Sequence, residues 1–340
     1  MRRGLLVALV IIAAGAAVTY GLFTRWLATP LATGDAPVQF EIPSGQPLAV
    51  TARKLESHGW LARPRWLVAY ARMTGADARI RAGEYEIPPG TSPRQLLALF
   101  ESGKVVQHTV TLVEGWTFRD VQKALEQQPQ LEHTLNKLSP EQVMQKLDEP
   151  GKPPEGLFFP DTYVFGKGTS DFEILRQARA RMREKLEAAW KARAADVPLA
   201  SPYEALILAS IVEKETALPA ERPRIAGVFT TRLRQGMRLQ TDPTVIYGLG
   251  ARFDGNLRRS DLERDGPYNT YTRVGLPPTP IAMPGAGALE AAVRPDERGE
   301  LYFVATGLPD GSHTFSRTLS EHEAAVGAYL ARLRQRRTEN

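Results

Sequence analysis

Residues 4–23, GLLVALVIIAAGAAVTYGLF, carry no charge and follow directly on Arg2 and Arg3. A helix of about 20 apolar residues matches the hydrocarbon thickness of a bilayer. A cleaved leader usually has an apolar region of about 7 to 15 residues. The segment therefore predicts an uncleaved transmembrane helix, with a leader cut near AAGAAVTYG as the alternative. The amino terminus, Arg2 and Arg3 precede the segment and only Arg25 closely follows it. The positive-inside bias then places residues 1–3 as a cytoplasmic tail and the bulk of the chain beyond the membrane.

The chain has 340 residues, enough for two or three domains, with 43% hydrophobic and 24% charged residues, as in ordinary globular proteins. A net charge of +5 and a pI near 9.4 favour anionic partners in general. No basic run of nucleic-acid-binding type stands out, and nucleic acid is not an expected partner. The absence of cysteine excludes disulfides, thiol nucleophiles and Cys-ligated zinc.

Residues 24–37, TRWLATPLATGDAP, read as a linker, with Trp26 suited to the membrane interface. A spacing then recurs. IPSGQPLAVTARKLESHG from Ile42 and IPPGTSPRQLLALFESGK from Ile87 share Ile-Pro-x-Gly and apolar residues seven and ten beyond the glycine: Ala52 and Leu55, then Leu97 and Phe100. A weaker third copy runs through VEGWTFRDVQKALE, where Leu125 keeps the same offset from Gly115. Each copy reads as a short strand, a glycine turn and an amphipathic helix, with IRAGEYEIPPG (80–90) as a strand. The region from 38 to 110 resembles the LysM-like domain that binds the amino-sugar backbone of peptidoglycan; a purely structural β-turn-helix unit is the other reading. Beyond a polar stretch lies aromatic, β-prone GLFFPDTYVFG (156–166) and a charged helix from about Asp171 to Arg193, whose acid-base pairs suit a solvated face.

The segment SPYEALILASIVEKETALP has Ser201 as N-cap, Pro202 at the first helical position, Glu204 to complete a capping box, and Pro219 as the stop. Ala205 to Val212 is apolar all round except for Ser210, so this helix is expected at the centre of the fold. Glu213 and Glu215 follow immediately. Periodicity does not choose between them, because each shares a face with apolar residues. A carboxyl held against apolar surface keeps its proton near neutral pH and can serve as a general acid. Alternatively both acids reach solvent in the last turn, or pair with Lys214 or Arg222. A nucleophile formed by Ser210 and Lys214, one turn apart, is a third option.

Downstream segments dense in Tyr, Asn, Gln, Asp, Thr, Gly and Pro suit sugars, which stack on aromatic faces and bond amides and hydroxyls. LASIVEKET, GMRLQTDPTVIYG, YNTY, GLPPTPIAMPG and GSHTFSRTLSEH, with EGLFFPDTY upstream, resemble the endolytic murein transglycosylases, the MltG or YceG-like family. The resemblance covers nearly the whole chain; Thr279 in LPPTP replaces a glycine commoner in that motif. It implies that Glu213, the first acid of VEKE, is the catalytic acid. Gln240, Thr241, Asp242, Tyr247, Tyr268, Asn269 and Tyr271 are the candidate substrate contacts, and Glu215 a positioning neighbour. His313 and His322 read as structural, since no third ligand at metal spacing accompanies them, and neither cofactor nor metal is expected.

The chemistry implied needs one carboxyl where a glycosidase needs two. A glutamic acid protonates the departing glycosidic oxygen, the C6 hydroxyl of the muramic acid ring attacks, and the carboxylate takes up that hydroxyl's proton. A 1,6-anhydro end results. The implied protein is a single-pass inner-membrane lyase with an α+β fold: a LysM-like module over 38–110, then a larger YceG-like domain over 111–340 facing the periplasm. It would cut nascent strands and terminate their growth beside the penicillin-binding synthases. A lysozyme-type hydrolase and a non-catalytic peptidoglycan-binding scaffold tethered to the membrane are the alternatives.

Overall fold

The computed structural model describes residues 2–339. The chain divides into two compact units, Met1–Thr109 with Val164–Thr169, and Val110–Tyr163 with Ser170–Asn340. In chain order the first run comprises α1 (Arg2–Ala28), β1 (Val38–Ile42), α2 (Leu48–Ser57), α3 (Pro64–Thr74), β2 (Gly83–Ile87) and α4 (Pro93–Ser102). Then come β3 (Gln107–Thr111), α5 (Phe118–Glu126), α6 (Pro140–Lys146), β4 (Thr162–Gly166) and α7 (Asp171–Lys191). The remainder holds α8 (Pro202–Glu215), α9 (Arg222–Arg234), α10 (Asp242–Leu249), α11 (Arg259–Glu263), α12 (Ala286–Val293), β5 (Tyr302–Ala305), β6 (His313–Ser316) and α13 (Leu319–Glu339). It is a mixed helix and sheet protein, and the described residues form three two-stranded sheets: β1 with β2, β3 with β4, β5 with β6.

Leu6–Ala28 is long and apolar enough to cross a membrane, with a mean hydropathy of 2.3. Of the tail expected over residues 1–3, Met1 lies outside the described residues, and Arg2 already begins the helix. The linker expected over 24–37 is not free chain. Thr24 to Ala28 prolong α1, and Leu27 and Leu31 are buried. Leu31 N–H then donates to Thr91 O (2.8 Å) and Ala32 N–H to Trp60 O (3.2 Å), fastening the segment to the first unit. Apolar positions at 27 and 31 made this packing available, but the Pro and Gly content of the stretch obscured it.

In the first unit β1 and β2 run antiparallel with Phe40 opposite Tyr85, so the order is strand, helix, helix, strand. The repeated spacing has a local cause. Gly45, Gly90 and Gly115 all take positive φ (74°, 76° and 79°), and in each case the helix starts three residues later. Ala52, Leu55, Leu97, Phe100 and Leu125, at the repeated offsets, are all buried.

The second unit is built around α8, whose residues from Ala205 to Val212 are all buried. α7, α9, α10 and α12 pack on it. The start of α8 differs from expectation. Ser201 caps Glu204 N–H (3.2 Å), but the Glu204 carboxylate reaches back to Ala200 N–H (2.7 Å), one residue before the position a capping box requires. The helix also stops three residues early, because Thr216 is extended (φ −144°, ψ 137°) and its hydroxyl accepts from Leu218 N–H. Glu213 and Glu215 thus occupy the last turn of a buried helix.

Candidate active site

Ser210, the single polar interruption in the buried run Ala205–Val212 of α8, explains how the loop beyond residue 279 is held. Its hydroxyl donates to Ile207 O (2.7 Å) and accepts from Ile281 N–H (3.0 Å). The same loop pairs with the third glycine turn, through Gly115 N–H to Met283 O (2.8 Å) and Met283 N–H to Trp116 O (2.7 Å). Lys214, exposed, donates to Gly115 O (3.2 Å). Ser210 and Lys214 are therefore engaged separately and form no nucleophile-base pair.

These two loops close over Glu213, whose side chain is only 5% exposed. One carboxylate oxygen accepts from Arg222 Nη2 (2.9 Å) and the other from the Gly285 N–H (2.9 Å), at the N-cap of α12. Arg222 also reaches Glu114 (3.4 Å), which is half exposed. Burial is the largest influence on Glu213 and raises its pKa, as does Glu114; the Gly285 N–H, Arg222 and Lys214 oppose them, and the net direction is upward. The acid is held in one orientation and keeps its proton more readily than an exposed glutamate.

Glu215 faces elsewhere. Thr241 Oγ1 donates to its carboxylate, and burial, reinforced by Asp242, pushes its pKa up to about 7. It lines a cavity of about 500 Å³ together with Gln240, Asp242, Tyr271, Tyr302 and His322. Tyr271 donates to Asp242 (2.5 Å), and Gln240 adopts a positive φ of 49°, rare for a residue with a side chain. Of the expected substrate contacts, Gln240, Asp242 and Tyr271 thus gather around Glu215. Thr241 is buried beneath them.

Tyr247 and Tyr268 belong to a different cluster. Their rings meet edge to face (centroids 4.9 Å apart), Tyr247 donates to Glu155 (3.1 Å), and Tyr268 pairs with Thr279 (2.8 Å). Thr279, where a glycine was the expected residue, thus contributes a hydroxyl to the loop. Asn269 is buried and donates to the carbonyls of Asp261, Leu262 and Arg264 while accepting from Tyr271 N–H, so its polar atoms hold the loop together. His313 pairs with Glu221 (2.8 Å), and His322 stacks on Tyr302 (5.1 Å).

Glu155 was not singled out from the sequence. It is buried, accepts from Phe118 N–H (3.0 Å) as well as Tyr247, and is pushed by burial up to about 7. Its place in the EGLFFPDTY motif was the available signal. Glu114 and Gly285, drawn to Glu213 from 99 and 72 residues away (213 − 114 and 285 − 213), left no signal in spacing.

A mixed helix and sheet chain with an apolar amino-terminal helix and carboxyls buried at one helix end matches the model of the YceG-like family over residues 40–328, and the chain belongs to that family. Its relatives include the endolytic murein transglycosylase of Bacillus subtilis strain 168, 30% identical over 318 residues, spanning 86% of this chain and 85% of that protein. The endolytic murein transglycosylase of Streptococcus pneumoniae D39 is 26% identical over 337 residues; the match spans 85% of this chain and 58% of the longer pneumococcal protein. The crystal structure of a YceG-like protein from Listeria monocytogenes aligns with a TM-score of 0.51 at 29% identity, covering 86% of this chain and 99% of that one.

Proposed function

We propose that this protein is a membrane-anchored lytic transglycosylase that cleaves peptidoglycan glycan strands internally, with Glu213 as its acid and base. The observation that carries the reading is a single carboxyl, almost enclosed, oriented by Gly285 and Arg222 and raised in pKa, on the helix that bears the VEKE motif. In the reaction, Glu213 gives its proton to the glycosidic oxygen as the bond to C1 breaks. The C6 hydroxyl of the same muramic acid residue then bonds to C1, and its proton returns to Glu213. No water is consumed, which is why one acid suffices where a hydrolase needs a second carboxylate. Gly285 N–H and Arg222 would stabilise the carboxylate formed midway.

The cavity of Gln240, Asp242 and Tyr271 beside Glu215 has the aromatic walls and polar groups of a sugar subsite. The strand, helix, helix, strand order of the first unit supports a LysM-like module able to hold the glycan. α1 would keep the enzyme in the inner membrane with its amino end cytoplasmic, limiting it to nascent strands near the bilayer. That placement suits termination of strand growth beside the synthases.

A second assignment of the acid has a specific observation behind it: Glu215, pushed up to about 7, opens on the 500 Å³ cavity. The test uses the detergent-solubilised full chain with uncrosslinked glycan strands, products weighed by mass spectrometry. Anhydro-ended internal fragments from the parent and from Glu215→Gln, but not from Glu213→Gln, are expected. Activity surviving in Glu213→Gln and lost in Glu215→Gln transfers the role to Glu215. Fragments heavier by a water make the protein a hydrolase, and binding without cleavage by any variant makes it a scaffold.

A further inference from the structure

The first unit carries a charged groove that the proposed chemistry does not use. It is an open cavity of about 710 Å³ between α2 and α3, and Arg53, Arg63, Arg65 and Arg72 line it against a single acid, Glu56. All four arginines are exposed, and among the described residues none of them forms an ion pair. Four unneutralised guanidinium groups around one concavity make a site for anions.

The wall of the groove bears on which kind of anion suits it. Trp66, one of its lining residues, packs edge-on against Phe23 (5.5 Å) and Trp26 (5.6 Å), at the carboxyl end of the apolar helix α1. Tyr70, a turn further along α3, also contacts Phe23 (6.2 Å). Arg63 lies over the Trp66 ring at 4.2 Å. Two aromatics from the end of an apolar span, meeting a Trp and a Tyr from the next module, form the kind of girdle that sits at headgroup depth. The hydrogen bonds from Leu31 to Thr91 O and from Ala32 to Trp60 O tie the chain just beyond α1 to the rest of the first unit.

We infer that the arginine groove between α2 and α3 binds the phosphate headgroups of anionic phospholipids at the membrane surface where α1 emerges. The groove docks the first unit onto the bilayer, so that α1 does not act merely as a tether. The inference rests on the reading of α1 as a membrane anchor, and on no part of the proposed catalytic site.

The test reconstitutes the full chain in bilayers of phosphatidylcholine with added phosphatidylglycerol. Electron spin resonance of spin-labelled lipids reads the association of each lipid with the protein. An arginine near an anionic surface contributes a factor of about five, so the parent should prefer phosphatidylglycerol at least about fivefold more strongly than the Arg53→Gln, Arg63→Gln, Arg65→Gln, Arg72→Gln variant. The corresponding variant with lysine at the four positions should keep most of the preference, since the charge remains. Equal preference in parent and glutamine variant overturns the inference, as does a lysine variant no better than glutamine. Loss of the preference on adding inorganic phosphate at constant ionic strength also overturns it, by making the groove a site for free phosphate. Protein washed off the bilayer by alkaline carbonate removes the anchor and the inference with it, whereas retained protein without the preference removes the inference alone.

Discussion

Gly156→Ala should destabilise the second unit far more than a glycine substitution in an open turn, and the structure gives the size. Gly156 has a φ of 76°, and a Cβ built there lies 2.4 Å from Cβ and 2.7 Å from Cγ of Pro280, with Ala282 O at 3.4 Å. Neither neighbour can retreat easily. Pro280 is a rigid ring, and the next residue is bonded to Ser210 in the central helix. Left-handed backbone costs a residue with a Cβ about 1 to 2 kcal/mol, and overpacking a fixed core adds about 1 to 3 kcal/mol. The sum, about 2 to 5 kcal/mol, corresponds to a fall in melting temperature of roughly 4 to 20 °C for a unit of this size. Gly151→Ala is the matched control: its φ is 81° but nothing lies within 4 Å of the added carbon, so it carries the backbone cost alone. Thermal unfolding of the detergent-solubilised full chain, followed by tryptophan fluorescence, compares the two. A Gly156→Ala protein that melts within about 2 °C of Gly151→Ala would refute the argument that the Pro280 loop is pinned against this turn.

Ser210→Ala leaves the buried Ile281 N–H without its acceptor and should cost about 1 to 3 kcal/mol in the same unfolding measurement; no loss of stability would mean that the loop is held some other way. Arg222→Met removes the cation beside Glu213 and leaves burial opposed chiefly by the Gly285 N–H, so the alkaline limb of the pH-activity profile should move upward. A profile moving down, or staying in place, would contradict that arrangement. Glu155 and Glu215, pushed up to about 7 when folded, hold protons that an unfolded chain releases near 4.5, the ordinary value for a glutamate. Their contribution is full below the unfolded pKa and is lost as pH rises through the folded one, about 3 kcal/mol for each carboxyl. The melting temperature should therefore fall between about pH 5 and about pH 8, and Glu155→Gln should flatten that fall; a parent more stable at the alkaline end would reverse the assignment.

Features written in local chemistry were legible before the structure. The apolar run from residue 4, the glycine turns at 45, 90 and 115 with helices three residues later, and the burial of Ala205 to Val212 each depend on neighbours within a turn or two. The stretch from Thr24 to Pro37 misled because its Pro, Gly and small residues describe a linker, while its fate was decided by Trp60 and Thr91, far along the chain. The capping at Ser201 was legible in its donor and not in its reciprocal partner. Glu204 accepts from Ala200 N–H and not from Ser201 N–H, a one-residue difference that spacing does not describe.

The end of α8 shows the same limit at the site. Helical periodicity placed Glu213 and Glu215 on apolar faces alike, and both are indeed raised in pKa by burial. What separates them is the company brought by distant segments. Glu213 meets a permanent cation and a helix amino terminus, which favour its charged form and support the proposed role of an acid that loses and regains a proton within one turnover. Glu215 is raised by its burial and by the like charge of Asp242, which favour the protonated carboxyl and outweigh the Thr241 hydroxyl that donates to its charged form. The two acids stand two residues apart on one helix, and Arg222 and Gly285 on one side, Thr241 and Asp242 on the other, give them different electrostatic settings.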